Sequence, residues 1–367
     1  MKSIVEKLAR KSIFNIKPYI PGKHIDELKR ELGLSEIIKL ASNENPLGPS
    51  PLAIKSMSKA IHEVSFYPDS YNYYLKEALS EKLSVKRENL IIGNGSDEII
   101  KLIAEAFLEE GDEIITGYPS FSEYIFAGKL MSAECILVDL NNYRLDLEQM
   151  FKKISPKTKL VFICNPNNPT GSIVTKQELD DFMNKLPENV IVVIDEAYHE
   201  YVMSSDYPDS LKYVKEGKNV IVLRTFSKIY GLAGLRIGYG IANPELIECI
   251  NRVKEPFNVN MIAQVAAVES LKDRDHVEKS RQLVNAEKKY LYEQFESIGL
   301  EWVDSETNFI LVDTGTDSTK LFHELLKLGI IIRSGEIFGL PNHIRVTIGT
   351  REQNEKFINA LKSLLIR

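Results

Sequence analysis

Six short apolar runs divide the stretch between about residues 75 and 240, and each ends in polar or turn residues. They are NLIIGN (89–94), EIITGYP (113–119), ECILVDL (134–140), KLVFICNP (159–166), NVIVVIDEA (189–197) and NVIVLRTFS (219–227), with helical stretches between them. A strand with one wet face alternates apolar and polar residues, whereas a strand covered on both faces reads as a continuous β-branched run. Runs of the second kind, alternating with helices, predict a mainly parallel sheet with helices on its faces. That expectation also localises function, because ligands of open α/β sheets sit beyond the carboxyl ends of the strands.

Past residue 255 the pattern changes. Val277, Val284, Leu291, Phe295 and Ile298 form one stripe and predict a long helix from His276 to Ile298. Strand-like runs follow at NFILVDT (308–314), GIIIRS (329–334) and HIRVTIG (343–349), which reads as an α+β unit. A chain of 367 residues is long enough for two cores. The expected division is a large domain over 45–255 and a small one from 1–44 with 256–367, joined by the loop ASNENPLGPSP (41–51).

Bulk properties exclude several classes. A net charge of −6 gives no basic face for nucleic acid, so an anionic ligand must be caught by a local pocket. Cys135, Cys164 and Cys249 form no CxxC pair, which argues against a disulfide framework and a zinc site, and no metal is expected. The opening MKSIVEKLARKSIFNI lacks an apolar signal core, and no segment approaches the ~20 apolar residues of a membrane span. A cytoplasmic protein without a membrane partner is expected.

Five strand-end segments carry chemistry. In LRTFSKIYGLAGLRIGYG, Ser227 and Lys228 follow an apolar run and Arg236 lies eight residues beyond Lys228. Desolvation there lowers a lysine's pKa and makes it a usable amine nucleophile, and an arginine can grip phosphate bidentately. A lone lysine at a strand end is ordinarily a surface residue; the Ser-Lys…Arg context favours function. In VIDEAYHEY, Asp195 closes its strand with Tyr198 three residues on. Such a carboxylate either caps a following helix or holds a protonated ring nitrogen; His199 reads as structural. CNPNNPTG presents Asn165, Asn168 and Thr170 in a Pro-stiffened loop, and IIGNGSDEII leads through Gly93 and Gly95 into Ser96 and Asp97 at a helix start, where backbone N–H groups suit an anion. GYPSFSEY supplies Tyr118, Phe121 and Tyr124, of which one could stack on a flat heterocycle and the others belong to a core.

In that order, GNGSDE, YPSFSEY, NPNNPTG, DEAY and TFSK…LRIG resemble the fold-type I pyridoxal-phosphate-dependent aminotransferases. KPYIPGK, SNENPLGPSP, SFYPD, GIIIRS and IRVTIGTREQN extend the resemblance to the histidinol-phosphate aminotransferase branch, from Lys17 to Asn354. The resemblance implies pyridoxal 5′-phosphate held as a Schiff base on Lys228, which also shuttles the substrate Cα proton. It implies Asp195 on the pyridine nitrogen, Asn168 and Tyr198 on the 3′-oxygen, and Phe121 stacked on the ring. Ser227, Arg236 and the backbone at Ser96 and Asp97 would take the cofactor phosphate, and Tyr67 would reach the cofactor of a second subunit in a homodimer. Substrate recognition falls to Tyr19, Asn43, Arg333 and Arg345. For Arg345, alternation with Ile344 and Val346 alone suggests the outer side of a strand. The implied substrates are histidinol phosphate with glutamate and 2-oxoglutarate, in histidine biosynthesis. A threonine-phosphate decarboxylase, an aromatic amino acid aminotransferase and a ligand-sensing domain of a transcription regulator are the alternatives on the same scaffold.

Overall fold

All six apolar runs become strands of one seven-stranded sheet in the computed structural model, which describes residues 4–16, 30, 33 and 36–365. They are β2 (Leu90–Gly93), β3 (Glu113–Tyr118), β4 (Glu134–Asp139), β5 (Thr158–Cys164), β6 (Ile191–Asp195) and β7 (Val220–Thr225). With a seventh strand, β8 (Gly238–Ala242), the order is β2-β8-β7-β6-β5-β3-β4. Strands β3 to β7 pair in parallel, while β8 runs antiparallel to both neighbours, β2 and β7. Burial on both faces follows the alternation along each strand. Ile91, Ile114, Leu160, Phe162, Val193, Ile221 and Leu223 share one core with Ile99 and Ile103 of the helix Ser96–Phe107. Ile92, Ile115, Val161, Ile163, Val192, Ile194 and Val222 share the other. Each fully buried side chain of this type contributes about 1.5–3 kcal/mol, which makes the sheet a rigid base for whatever its strand ends carry.

The later part of the chain forms an antiparallel sheet in the order β12-β13-β10-β9, with β9 (Glu301–Val303), β10 (Phe309–Asp313), β12 (Arg333–Ser334) and β13 (His343–Thr347). The expected long helix spans Arg274–Ser297 and buries Val284, Leu291 and Phe295. One expectation changes. GIIIRS is not one strand: β11 (Ile330–Ile331) pairs in parallel with β1 (Ile38–Lys39), and β12 pairs with β13. Past β1, Leu40 accepts from the Thr347 N–H at 2.8 Å and donates to the Ile331 carbonyl at 2.7 Å, so the early chain is sewn between two late strands. The earlier residues Lys11–Asn15 lie instead against the helix Glu123–Leu130, with Arg10 donating to the Leu130 carbonyl at 2.6 Å. Among the described residues no helix is long and apolar enough to cross a membrane, and no cluster of three or more potential metal ligands occurs.

Candidate active site

The strand ends converge as the parallel topology requires. Asp195 is the last residue of β6, and Lys228 lies three residues past β7. Asp195 is 2 % exposed, and its carboxylate accepts from the Tyr124 hydroxyl at 2.7 Å and from the Ala197 N–H at 3.2 Å. It caps no regular helix. Burial outweighs those donors and pushes its pKa up to about 6. A carboxylate so placed is short of positive charge, and a protonated ring nitrogen would supply it. Tyr124 itself stacks on Phe162, with centroids 4.7 Å apart, and Phe121 meets Tyr124 edge-on at 5.6 Å.

Lys228 is also desolvated. Burial brings its pKa down to about 8, and the nearby Arg345 pushes in the same direction. Among the described residues no carboxylate stands within ion-pair distance of its Nζ; the contacts are the Ser42 carbonyl at 3.4 Å and the face of Tyr198, whose centroid is 5.5 Å away. An amine in this setting loses its proton far more readily than a solvated lysine.

An anion cradle forms next to it. The helix Ser96–Phe107 starts after Gly95, which has φ 84° and offers no side-chain cap. A Cβ at Gly95 would stand 2.6 Å from Arg236 Nη2, and one at Gly238 would stand 2.6 Å from the Ser96 nitrogen. Both glycines keep the space in front of the helix amides open, the setting in which a phosphate binds. Arg236 reaches into that space from a left-handed backbone, φ 54°, a conformation costly for a bulky residue and characteristic of functional positions. It donates to Asp97 Oδ2 at 2.9 Å and to Ser227 Oγ at 3.5 Å.

The arginines expected to meet the substrate come from the antiparallel sheet. Arg345 on β13 stands directly opposite Arg333 on β12 in register, so both guanidinium groups leave the same face. Arg345 is 6 % exposed: it points inward rather than to solvent, and the expectation of an outer strand face does not hold. Its Nη1 donates to Asn168 Oδ1 and its Nη2 to the Ala41 carbonyl at 2.8 Å, while its Cζ lies 5.1 Å from the Phe309 centroid. Asn43 closes this side, with Nδ2 donating to the Tyr198 hydroxyl at 2.9 Å.

The NPNNPTG loop separates its roles in a way its composition hides. Asn165 staples the loop internally through Val174, and Thr170 bonds Asn167 and Ser172, so of the three residues read as displayed only Asn168 meets the substrate-side arginine. Tyr67 is 82 % exposed, stacked on Phe257 and outside this cleft. Tyr19 lies outside the described residues. The bond from Tyr124 to Asp195 has no local signature: SFSEY marks Tyr124 as an aromatic and carries no sign of a hydroxyl contact across the sheet.

The Aminotransferase class I and II family matches residues 35–361. Among curated relatives, the histidinol-phosphate aminotransferase of Moorella thermoacetica is 57 % identical over 97 % of this chain and 92 % of its own length. That of Caldicellulosiruptor saccharolyticus is 49 % identical over 97 % and 99 %. Among solved structures, the histidinol-phosphate aminotransferase from Sinorhizobium meliloti in complex with pyridoxal-5′-phosphate superposes with a TM-score of 0.87 at 27 % identity, covering 94 % of this chain and 96 % of that one. The match spans most of the chain, which belongs to the aminotransferase class I and II family and has its fold-type I, two-part α/β architecture.

Proposed function

We propose that this chain is a pyridoxal-phosphate-dependent histidinol-phosphate aminotransferase of histidine biosynthesis, passing an amino group between L-histidinol phosphate and 2-oxoglutarate to give imidazole-acetol phosphate and L-glutamate. The observation that carries it is the in-register pair Arg333 and Arg345, with Arg345 tied to Asn168 and set beside Lys228. Two guanidinium groups facing one cleft suit a pocket that must take a phosphate monoester and a dicarboxylate in turn.

The donor set fits the cofactor. Ser227, Arg236 and the backbone amides of Ser96 and Asp97 would bind its phosphate, and Phe121 would cover a ring face. Asn168 and Tyr198 would hold the 3′-oxygen, and Asp195 would keep the proton on the ring nitrogen. When bound, the cofactor would supply an electron sink for the pair left by removal of the substrate's Cα proton. Lys228 anchors the cofactor, then takes that proton and returns it; a pKa near 8 lets it act as base and acid close to neutral pH. Arg345 and Arg333 grip the anionic ends of the substrate, with Asn43 and Tyr19 completing the recognition.

The active form in this reading is a homodimer in which Tyr67 meets the partner's cofactor phosphate. Support comes from the surface around Tyr67, where Phe66, Tyr71 and Tyr74 are also largely exposed, a patch that monomeric proteins rarely leave open. A reducing, cytoplasmic setting accords with the three free cysteines. The division at 45–255 against 1–44 with 256–367 is supported by the two sheets falling wholly on opposite sides of it. It is least supported at the helix Met261–Lys272, which packs on the helix Pro51–Ala60.

The test is a half-reaction followed by cofactor absorbance, mixing the holoenzyme separately with L-histidinol phosphate, L-threonine phosphate and L-phenylalanine. A rapid change with the first and little with the others supports the reading. Carbon dioxide release from threonine phosphate replaces it with a decarboxylase, and a dominant response to phenylalanine with an aromatic aminotransferase.

A further inference from the structure

Asn43 adopts a conformation that needs explaining. Its φ is 57°, in the left-handed region, and it is only 2 % exposed. Asparagine tolerates that region better than most residues, yet a buried example persists where its surroundings dictate it. Here two side chains do so. Thr347 Oγ1 accepts from the Asn43 backbone N–H at 2.9 Å and donates to its side-chain Oδ1 at 3.1 Å. Asn308 Nδ2 donates to the Asn43 carbonyl at 2.9 Å. One hydroxyl thus grips both the backbone and the amide of Asn43, while a second residue fixes its carbonyl.

This arrangement gives the amide a direction. With Oδ1 satisfied by Thr347, the Nδ2 end faces Tyr198 and donates to its hydroxyl oxygen at 2.9 Å. A phenol that accepts in this way keeps its own proton to give elsewhere, and accepting a hydrogen bond makes it a better donor. Were the amide reversed, its oxygen would compete for that proton. Thr347 also sits two residues from Arg345 on β13, so both side chains leave the same face of one strand. The strand that presents the substrate-side arginine therefore reaches the cofactor-side tyrosine as well, through Asn43.

We propose that Thr347 and Asn308 are positioning residues that lock Asn43 so that Tyr198 donates its hydrogen bond to the cofactor's 3′-oxygen. The proposal rests on the reading that places Tyr198 beside that oxygen. It gives Asn43 a task on the cofactor side, in addition to substrate contact.

A proton donated onto the 3′-oxygen draws charge from it and weakens its hold on neighbouring protons. Loss of the donor therefore raises the pH midpoint of the holoenzyme's absorbance change. The experiment is a spectroscopic pH titration of the loaded protein without substrate. Tyr198→Phe is expected to raise the midpoint by about one unit, and Thr347→Val to raise it by about half as much. Thr347→Ser keeps the wild-type midpoint because the hydroxyl is retained. Asn43→Ala shifts it in the same direction, and adding Thr347→Val to Asn43→Ala produces no further shift, since Thr347 acts through Asn43. If Thr347→Val does not fold, Asn308→Ala carries the same comparison from the carbonyl side. A Thr347→Val midpoint equal to wild type, or a shift that persists undiminished in the Asn43→Ala background, would overturn the proposal while leaving the role of Tyr198 intact. No shift in Tyr198→Phe would remove the reading beneath it.

Discussion

The two walls of the cleft are built differently. On the side expected to hold the cofactor, Asp195, Ser227, Lys228 and Ser96 sit at or just past the ends of strands or at the start of a helix, at positions their own local sequence marks. On the side expected to meet the substrate, Arg333, Arg345 and Thr347 come from two neighbouring late strands and meet Asn43, 304 residues before Thr347, through strand register and long-range hydrogen bonds. In the proposed function the first wall sets which chemistry is available and the second sets which molecule receives it. Substitutions should therefore separate into losses of chemistry and losses of selection.

The strongest attempt to break this division is Lys228→Ala. Removing the amine that takes up and returns the Cα proton should lower kcat by about ten-thousand-fold or more, while binding of the phosphorylated substrate persists. Single-turnover kinetics and equilibrium binding on the same sample check both halves. Next is Arg345→Met, expected to reduce kcat/KM for the anionic substrate by about a hundredfold or more, with cofactor affinity changed far less. Arg333→Met, at the less buried end of the pair, should cost about tenfold. Equal losses from both arginines would show that the difference in their burial does not matter.

The division also sorts what was legible in the sequence. The apolar runs located six of the seven strands of the large sheet, and the local motifs located Lys228, Asp195 and Arg236, because each is defined by neighbours in the chain. Strand β8 was not among the runs, since two of the five residues of GYGIA are glycines and break the apolar pattern. The split of GIIIRS depends on two different partner strands, which no local pattern contains. The inward aim of Arg345 and the Tyr124–Asp195 contact were hidden for the same reason: alternation tells which residues share a face, but not what that face meets.

A subtler effect sharpens the contrast through stability. Without cofactor, Asp195 has a folded pKa near 6, above its ordinary value of 3.8. The folded protein then binds the extra proton between those values, so this group's contribution to stability is present below pH 4 and is lost as pH rises through 6. Asp195→Asn removes the titration. The cofactor-free variant should gain about 2–3 kcal/mol relative to wild type on going from pH 4 to pH 8, even as its chemistry is lost. Denaturant unfolding at the two pH values measures the difference; a constant gap would mean that the buried carboxylate is not a source of strain.

Strand β8 has a consequence for how the chain comes together during synthesis. β2, at Leu90–Gly93, finds its sheet partner in β8, at Gly238–Ala242, and Asn89 bonds the Ala242 carbonyl at 2.7 Å. As the polypeptide emerges from the ribosome, β3 to β7 can assemble in turn, but β2 must wait until residue 242 has cleared the exit tunnel. Until then the nascent chain presents an open edge at β7 and an unmatched apolar strand, both templates for wrong pairing. The helix bearing Ser96 follows directly from β2, so the phosphate cradle is among the last parts of the large sheet to be put in place.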